Sequence, residues 1–151
     1  MEQQIDVAEA PRGPARRSLA AAADRQELLA IFAGGFLGAV ARSAVAKGLA
    51  PAPGQWPWAT FGVNIAGAAL LGYFVTRLQE RLPPSRYGRS FLGTGICGAL
   101  TTFSTLMVEV LRMLDQHRYG LAAAYLAASL LGGLAAVWLA TKLVRRAGMR
   151  W

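Results

Sequence analysis

The chain has 151 residues, room for one domain by ordinary size priors. Apolar residues make up 54% and charged residues only 16%, against about a quarter charged in soluble domains, so an ordinary soluble domain is excluded. A net charge of +8 invites a nucleic-acid reading, but the Lys and Arg residues flank apolar stretches instead of forming one basic face, which excludes a nucleic-acid partner and points to the lipid bilayer.

In chain order, residues 1–26 read as a disordered polar tail rich in Ala, Pro and Arg, without the apolar region and cleavage site of a signal peptide. Four apolar segments follow, at about Leu28–Leu49, Pro57–Thr76, Ser90–Leu111 and Gly120–Leu143, each near the ~20 residues that cross a bilayer core. Pro51, Pro53 and Gly54 break the first, with Trp56 and Trp58 as interfacial anchors. The loop Arg77–Arg89 ends the second. The fold class is an all-α membrane protein with four transmembrane helices over residues 27–144, and residues 145–151 form a basic C-terminal tail. One side of the membrane collects Arg12, Arg16, Arg17, Arg25, Arg77, Arg81, Arg86, Arg89, Lys142, Arg145, Arg146 and Arg150. The other side holds Lys47, Arg112 and Arg118, so both termini are expected to be cytoplasmic.

Polar residues at membrane depth are costly and are functional candidates by default. In the first span Gly34, Gly38 and Arg42 share one face, a GxxxG spacing that lets another helix approach. Arg42 either snorkels or fixes a re-entrant backbone or a dimer. In the second, Thr60 and Asn64 lie one turn apart among small residues; an interhelical hydrogen bond alone would explain Asn64. In the third, Gly93, Gly95 and Gly98 formally match a dinucleotide fingerprint, which is rejected because no strand of a soluble βαβ unit precedes it. The string continues into Thr101, Thr102, Phe103, Ser104 and Thr105. Glycines followed by clustered hydroxyls suit a helix broken at its centre, where exposed carbonyls can hold a cation. Glu109 is the one acid within any span, read either as a proton-coupling carboxylate or, in preference, as a membrane-edge partner of Arg112. Tyr125 and Ser129 are again one turn apart on the fourth span. Cys97 is expected to be a packing residue and His117 a solvated loop residue.

These residues carry a family resemblance. GGFLGAVAR (Gly34–Arg42), WPWATFGVN (Trp56–Asn64) and above all GICGALTTFSTL (Gly95–Leu106) resemble the small bacterial fluoride channels of the CrcB or Fluc family. The resemblance covers about Leu28–Leu143 and implies an antiparallel dimer of four-helix subunits with two fluoride pores in the bacterial inner membrane. It implies a structural Na+ at the dimer interface, held by the backbone carbonyls of Gly98 and Thr101. It further implies fluoride passing Asn64 and Phe103 along hydroxyls of Thr60, Ser104, Thr105, Tyr125 and Ser129, with Arg42 supporting the architecture.

Two departures shape the expectations. Leu106 stands where the family usually has a second phenylalanine, which removes one aromatic edge from the pore. The loop charges are also far from balanced, which fits a subunit of fixed orientation paired with an inverted paralogue as well as a homodimer. The expected function is a passive channel that lets cytoplasmic fluoride leave, with no catalysis. The alternatives are a proton-coupled small multidrug-type transporter, which would need a deep carboxylate that the first span lacks, and a non-conducting partner subunit.

Overall fold

A computed structural model describes the backbone of residues 14–49, 55–80 and 86–147, and the side chains of residues 25–49, 55–78 and 87–147. Its elements are α1 (Pro14–Gly48), α2 (Trp58–Glu80), α3 (Arg86–Arg89), a π-helical stretch Ser90–Cys97, α4 (Gly98–Leu100), α5 (Phe103–Asp115) and α6 (Tyr119–Ala147). Among the described residues, four helical stretches are long and apolar enough to cross a membrane: Arg25–Gly48, Trp58–Leu78, Tyr87–Asp115 and Tyr119–Ala147. The all-α, four-span architecture is therefore as the apolar runs require.

Boundaries differ where helix propensity outruns hydropathy. Helix α1 begins at Pro14, inside the segment expected to be a disordered tail. Proline suits a first helical position, and the Ala-rich run Leu19–Ala23 is strongly helix-forming without needing an apolar face. The rest of that tail, residues 1–13, lies outside the described residues, as do residues 148–151 at the other end. Helix α6 runs on to Ala147 because Lys142, Arg145 and Arg146 end the apolar stretch without breaking the helix.

The molecule is apolar outside and partly polar inside, as a bilayer solvent demands. Phe32, Phe36, Val40, Leu130, Leu131, Leu134 and Trp138 are exposed, whereas Thr60, Thr76, Ser90 and Ser129 are buried. With no hydrophobic drive between helices in lipid, close packing and interhelical hydrogen bonds hold the bundle. Glycine supplies the packing. A Cβ on Gly34 would strike the Phe91 carbonyl and one on Gly38 the Ile96 carbonyl, so α1 lies directly on the π-helical stretch. Gly95 meets the same seam from the other side: a Cβ there would sit 2.9 Å from the Ile31 carbonyl and from the Gly34 Cα. Helices α2 and α6 pair similarly, Gly72 against Val137, and Thr76 Oγ1 donates to the Gly72 carbonyl at 2.7 Å and to Thr141 Oγ1 at 3.3 Å. Leu106, Met113, Ala122 and Tyr125 form the apolar core between α5 and α6. His117 closes α5 in the left-handed region (φ 56°), which lets the Arg118 amide reach the Met113 carbonyl at 2.9 Å.

The seam between α1 and the third span gives a direct test. Gly34→Ala or Gly38→Ala places a methyl against a backbone carbonyl that cannot rotate away, an overpacking cost of about 1–3 kcal/mol. Gly35, which faces open space, should accept alanine without loss. Thermal unfolding of the detergent-solubilised protein is expected to drop for the first two variants and stay unchanged for Gly35→Ala.

Candidate functional site

The third span is interrupted at Thr101 and Thr102, both extended (φ −79°, ψ 151° and φ −147°, ψ 120°) between α4 and α5. Backbone polar groups freed at membrane depth must find partners within the protein. Asn64 on α2 meets most of that demand. Its Nδ2 donates to the Thr102 carbonyl at 3.1 Å, and its Oδ1 accepts from the Thr102 amide at 2.8 Å. The side-chain amide thus pairs with one residue's backbone as a neighbouring strand would. From α1, Arg42 Nε donates to the Ala99 carbonyl at 3.0 Å. Of the readings open for Arg42, the geometry selects the one that fixes a re-entrant backbone over snorkelling.

Hydroxyls complete the break. Thr101 folds its Oγ1 back to the Cys97 carbonyl at 2.9 Å, which also accepts the Thr101 amide. Thr102 caps α5: its Oγ1 accepts from the Thr105 amide at 3.2 Å and lies 3.0 Å from Thr105 Oγ1 and 3.3 Å from Ser104 Oγ. Gly98 opens α4 and Thr101 begins the break, on either side of the Ala99 carbonyl that Arg42 takes. Gly98 and Thr101 are the residues the resemblance assigns to Na+, and backbone carbonyl oxygens are the donor type a hard cation takes. No group of three or more His, Cys, Asp and Glu suited to a metal occurs among the described residues.

A second polar cluster lies one turn earlier on α2. Thr60 Oγ1 donates to Glu109 Oε1 at 2.6 Å, and Tyr125 OH donates to Glu109 Oε2 at 2.7 Å. Glu109 therefore ties α2, α5 and α6 together. The expected membrane-edge pairing with Arg112 is corrected: both carboxyl oxygens are engaged across helices, and Arg112 is exposed. The i,i+3 reading fails because it weighs only the residues on Glu109's own helix. Tyr125 is fully buried, the largest side chain so enclosed among the described residues. Ser129, one turn on, is buried with its Oγ lacking a hydrogen-bond partner among the described residues.

Among the expected pore residues, Thr60 and Tyr125 meet at Glu109, while Asn64, Ser104 and Thr105 gather at Thr102. Phe103 stands apart from both, 72% exposed on the single chain. Leu106 turns inward instead and is buried in the α5–α6 core. Gly34 and Gly38 serve the seam beneath the break. Sequence reasoning misses Trp56, which it pairs with Trp58 as an interfacial anchor. Trp58 is 64% exposed, but Trp56 packs edge-on against Tyr125 with its indole nitrogen buried.

These features define a small multi-pass membrane protein whose third span is broken and held by cross-helix hydrogen bonds. Comparison with known proteins specifies it further. The CrcB-like protein family, also described as Camphor Resistance (CrcB), matches residues 29–141, and the chain belongs to this family. It is 60% identical over 127 residues to the fluoride-specific ion channel FluC 1 of Mycolicibacterium paratuberculosis, covering 84% of this chain and 96% of the relative. It is 58% identical to the FluC 1 of Mycobacterium bovis over the same shares, and 42% identical over 118 residues to that of Streptomyces coelicolor, covering 78% and 76%.

Removing the Asn64 side chain tests the clamp. Asn64→Ala strands an amide and a carbonyl of Thr102, at about 1–3 kcal/mol for each buried group left unpaired. A marked fall in the unfolding temperature is expected, while Ser104→Ala, at an exposed position, should change it little.

Proposed function

We propose that the protein is a passive, fluoride-selective channel of the bacterial inner membrane that lets cytoplasmic fluoride leave the cell. The observation that carries the reading is the mid-membrane break at Thr101–Thr102, in a chain whose relatives are named fluoride-specific ion channels. The break opens two kinds of backbone group. Carbonyls end α4, and first-turn amides with their partial positive charge begin α5. Broken membrane helices recruit ions in this way.

Fluoride is small and strongly hydrated, so a selective path must replace its water with closely spaced donors. Hydroxyls and side-chain amides do this without a fixed charge that would hold the anion. The candidate path runs past Asn64 and Phe103 and along Thr60, Ser104, Thr105, Tyr125 and Ser129. The unpartnered Ser129 hydroxyl supports it, because a buried donor without an acceptor suits a passing anion. The exposed Phe103 ring offers its positive edge at the surface where a second subunit would pack.

The active unit in this reading is an antiparallel dimer, formed either by two copies in opposite orientations or by this chain, with both termini cytoplasmic, and an inverted paralogue, as the unbalanced loop charges suggest. The Gly98 and Thr101 carbonyls of the two subunits would hold a structural Na+, which supplies fixed positive charge that locks the breaks together. Glu109 is the observation behind the competing transporter reading, since a carboxyl contacted by two hydroxyls is a candidate proton carrier.

The purified protein alone, in liposomes loaded with potassium fluoride and triggered with a potassium ionophore, is expected to release fluoride but not chloride. Phe103→Ile is expected to slow that release. Glu109→Gln keeps an acceptor for one hydroxyl, so most of the flux should remain; complete loss, with a proton gradient able to drive uptake in the parent, would favour the transporter. Release only after addition of a paralogue would establish a heterodimer. Exchange of Na+ for a large organic cation during purification is expected to lower the unfolding temperature of the dimer.

A further inference from the structure

Two buried side-chain donors lack a partner among the described residues: the Ser129 hydroxyl and the indole N–H of Trp56. The first belongs to the path described above; the second does not. Trp56 lies just ahead of α2, held by a tight turn in which the Trp58 amide donates to the Trp56 carbonyl at 2.9 Å. Its ring is wedged edge-on against Tyr125 (centroids 5.3 Å apart, planes at 86°) and Phe61 (5.6 Å, 78°), and it packs on the Leu106–Met113–Ala122–Tyr125 core. A buried N–H without an acceptor is costly, and a purely structural aromatic at this place could be phenylalanine at no such cost. Both orphan donors adjoin Tyr125, Trp56 through ring contact and Ser129 one turn along α6. The Tyr125 hydroxyl itself is committed to Glu109. The Glu109 carboxylate serves the Tyr125 and Thr60 hydroxyls, and neither the Trp56 indole nor the Ser129 hydroxyl has an acceptor of its own among the described residues.

We propose that Trp56 is an anion-binding residue of the permeation path, its indole N–H donating to fluoride at the Tyr125 end of the hydroxyl track. The proposal rests on the channel reading and adds a residue to it. Indole is a donor only, so it attracts an anion without offering a lone pair that would repel it, and it carries no charge to trap the ion. The rigid turn and the three surrounding rings hold the N–H in place, so little ordering is needed when the anion arrives.

The test compares Trp56→Phe with Trp58→Phe in the fluoride-loaded liposome assay, each variant checked for dimer elution and unfolding temperature. Trp58 is largely exposed and controls for loss of an indole at the same membrane level. Loss of one hydrogen bond to a charged acceptor predicts fluoride release slower by about tenfold in Trp56→Phe, with assembly intact and Trp58→Phe like the parent. Unchanged release in Trp56→Phe overturns the proposal and assigns the N–H to a ring face or a water. Slower release that follows a matching loss of assembled protein also overturns it, because the indole would then be a packing element. If the parent protein releases no fluoride either alone or with an added paralogue, the channel reading falls and takes this proposal with it, an outcome distinct from a conducting parent with an unaffected variant.

Discussion

The pairing of Asn64 with the Thr102 backbone is the constraint on which the rest of the site depends. A helix can be interrupted in hydrocarbon only if each freed backbone group finds a partner inside the protein. One primary amide, with a donor and an acceptor side by side, satisfies both polar groups of one residue's backbone. A threonine or serine at position 64 would have to donate and accept through a single oxygen, without the side-by-side donor and acceptor of the amide. Beside the extended Thr102, Thr101 turns its own hydroxyl back to the Cys97 carbonyl at the end of the π-helical stretch, Thr102 caps α5, and Arg42 takes the Ala99 carbonyl. The Thr102 cap and the Arg42 bond presuppose that the chain leaves its helical path at this point, whereas the Thr101 bond to the carbonyl four residues back is one a continuous helix also makes.

The break also dictates how the surrounding helices pack. Arg42 reaches Ala99 because α1 lies against the third span without intervening side chains, and Gly34, Gly38 and Gly95 make that approach possible. The rise from Gly34 through Gly38 to Arg42 is two helical turns on one face, so one stripe supplies both the contact and the donor. On the far side, α2 carries Thr60 and Asn64 one turn apart, which places one helix at both polar clusters. A shift of α2 along its axis would therefore disturb the break and the Glu109 cluster together.

Much of this is legible in the residues. The four spans follow from apolar runs of membrane length, and the run of glycines before Thr101, Thr102, Ser104 and Thr105 locates the interruption. The partners are not legible, because spacing along one helix says nothing about which residue faces it from another. Asn64 and Thr102 are 38 positions apart, and Glu109 finds Thr60 at 49 and Tyr125 at 16. Glu109 is misread from sequence for this reason: its local neighbour Arg112 is visible there, and its partners across the bundle are not. Leu106 shows the same limit. Its place in the string marks a missing aromatic, but its burial against Met113 and Tyr125 depends on how α5 rolls against α6.

The break also separates backbone groups by sign. An uninterrupted helix cancels its amides and carbonyls internally along its whole length. Two extended residues uncancel both sets at once and separate them by sign, carbonyl oxygens at the end of α4 and amide hydrogens at the start of α5. The Arg42 guanidinium occupies the Ala99 carbonyl, which lies between Gly98 and Thr101, so the carbonyl oxygens of those two residues flank a position already claimed by a cationic group. A single chain would leave those oxygens a sparse ligand set for a hard cation, which ordinarily takes about six or more. Two breaks facing each other would double the set and share its charge between subunits. In the proposed dimer the cation and the assembly would therefore stand or fall together, because each chain would supply half of an oxygen site at the same two residues that end α4 and begin α5.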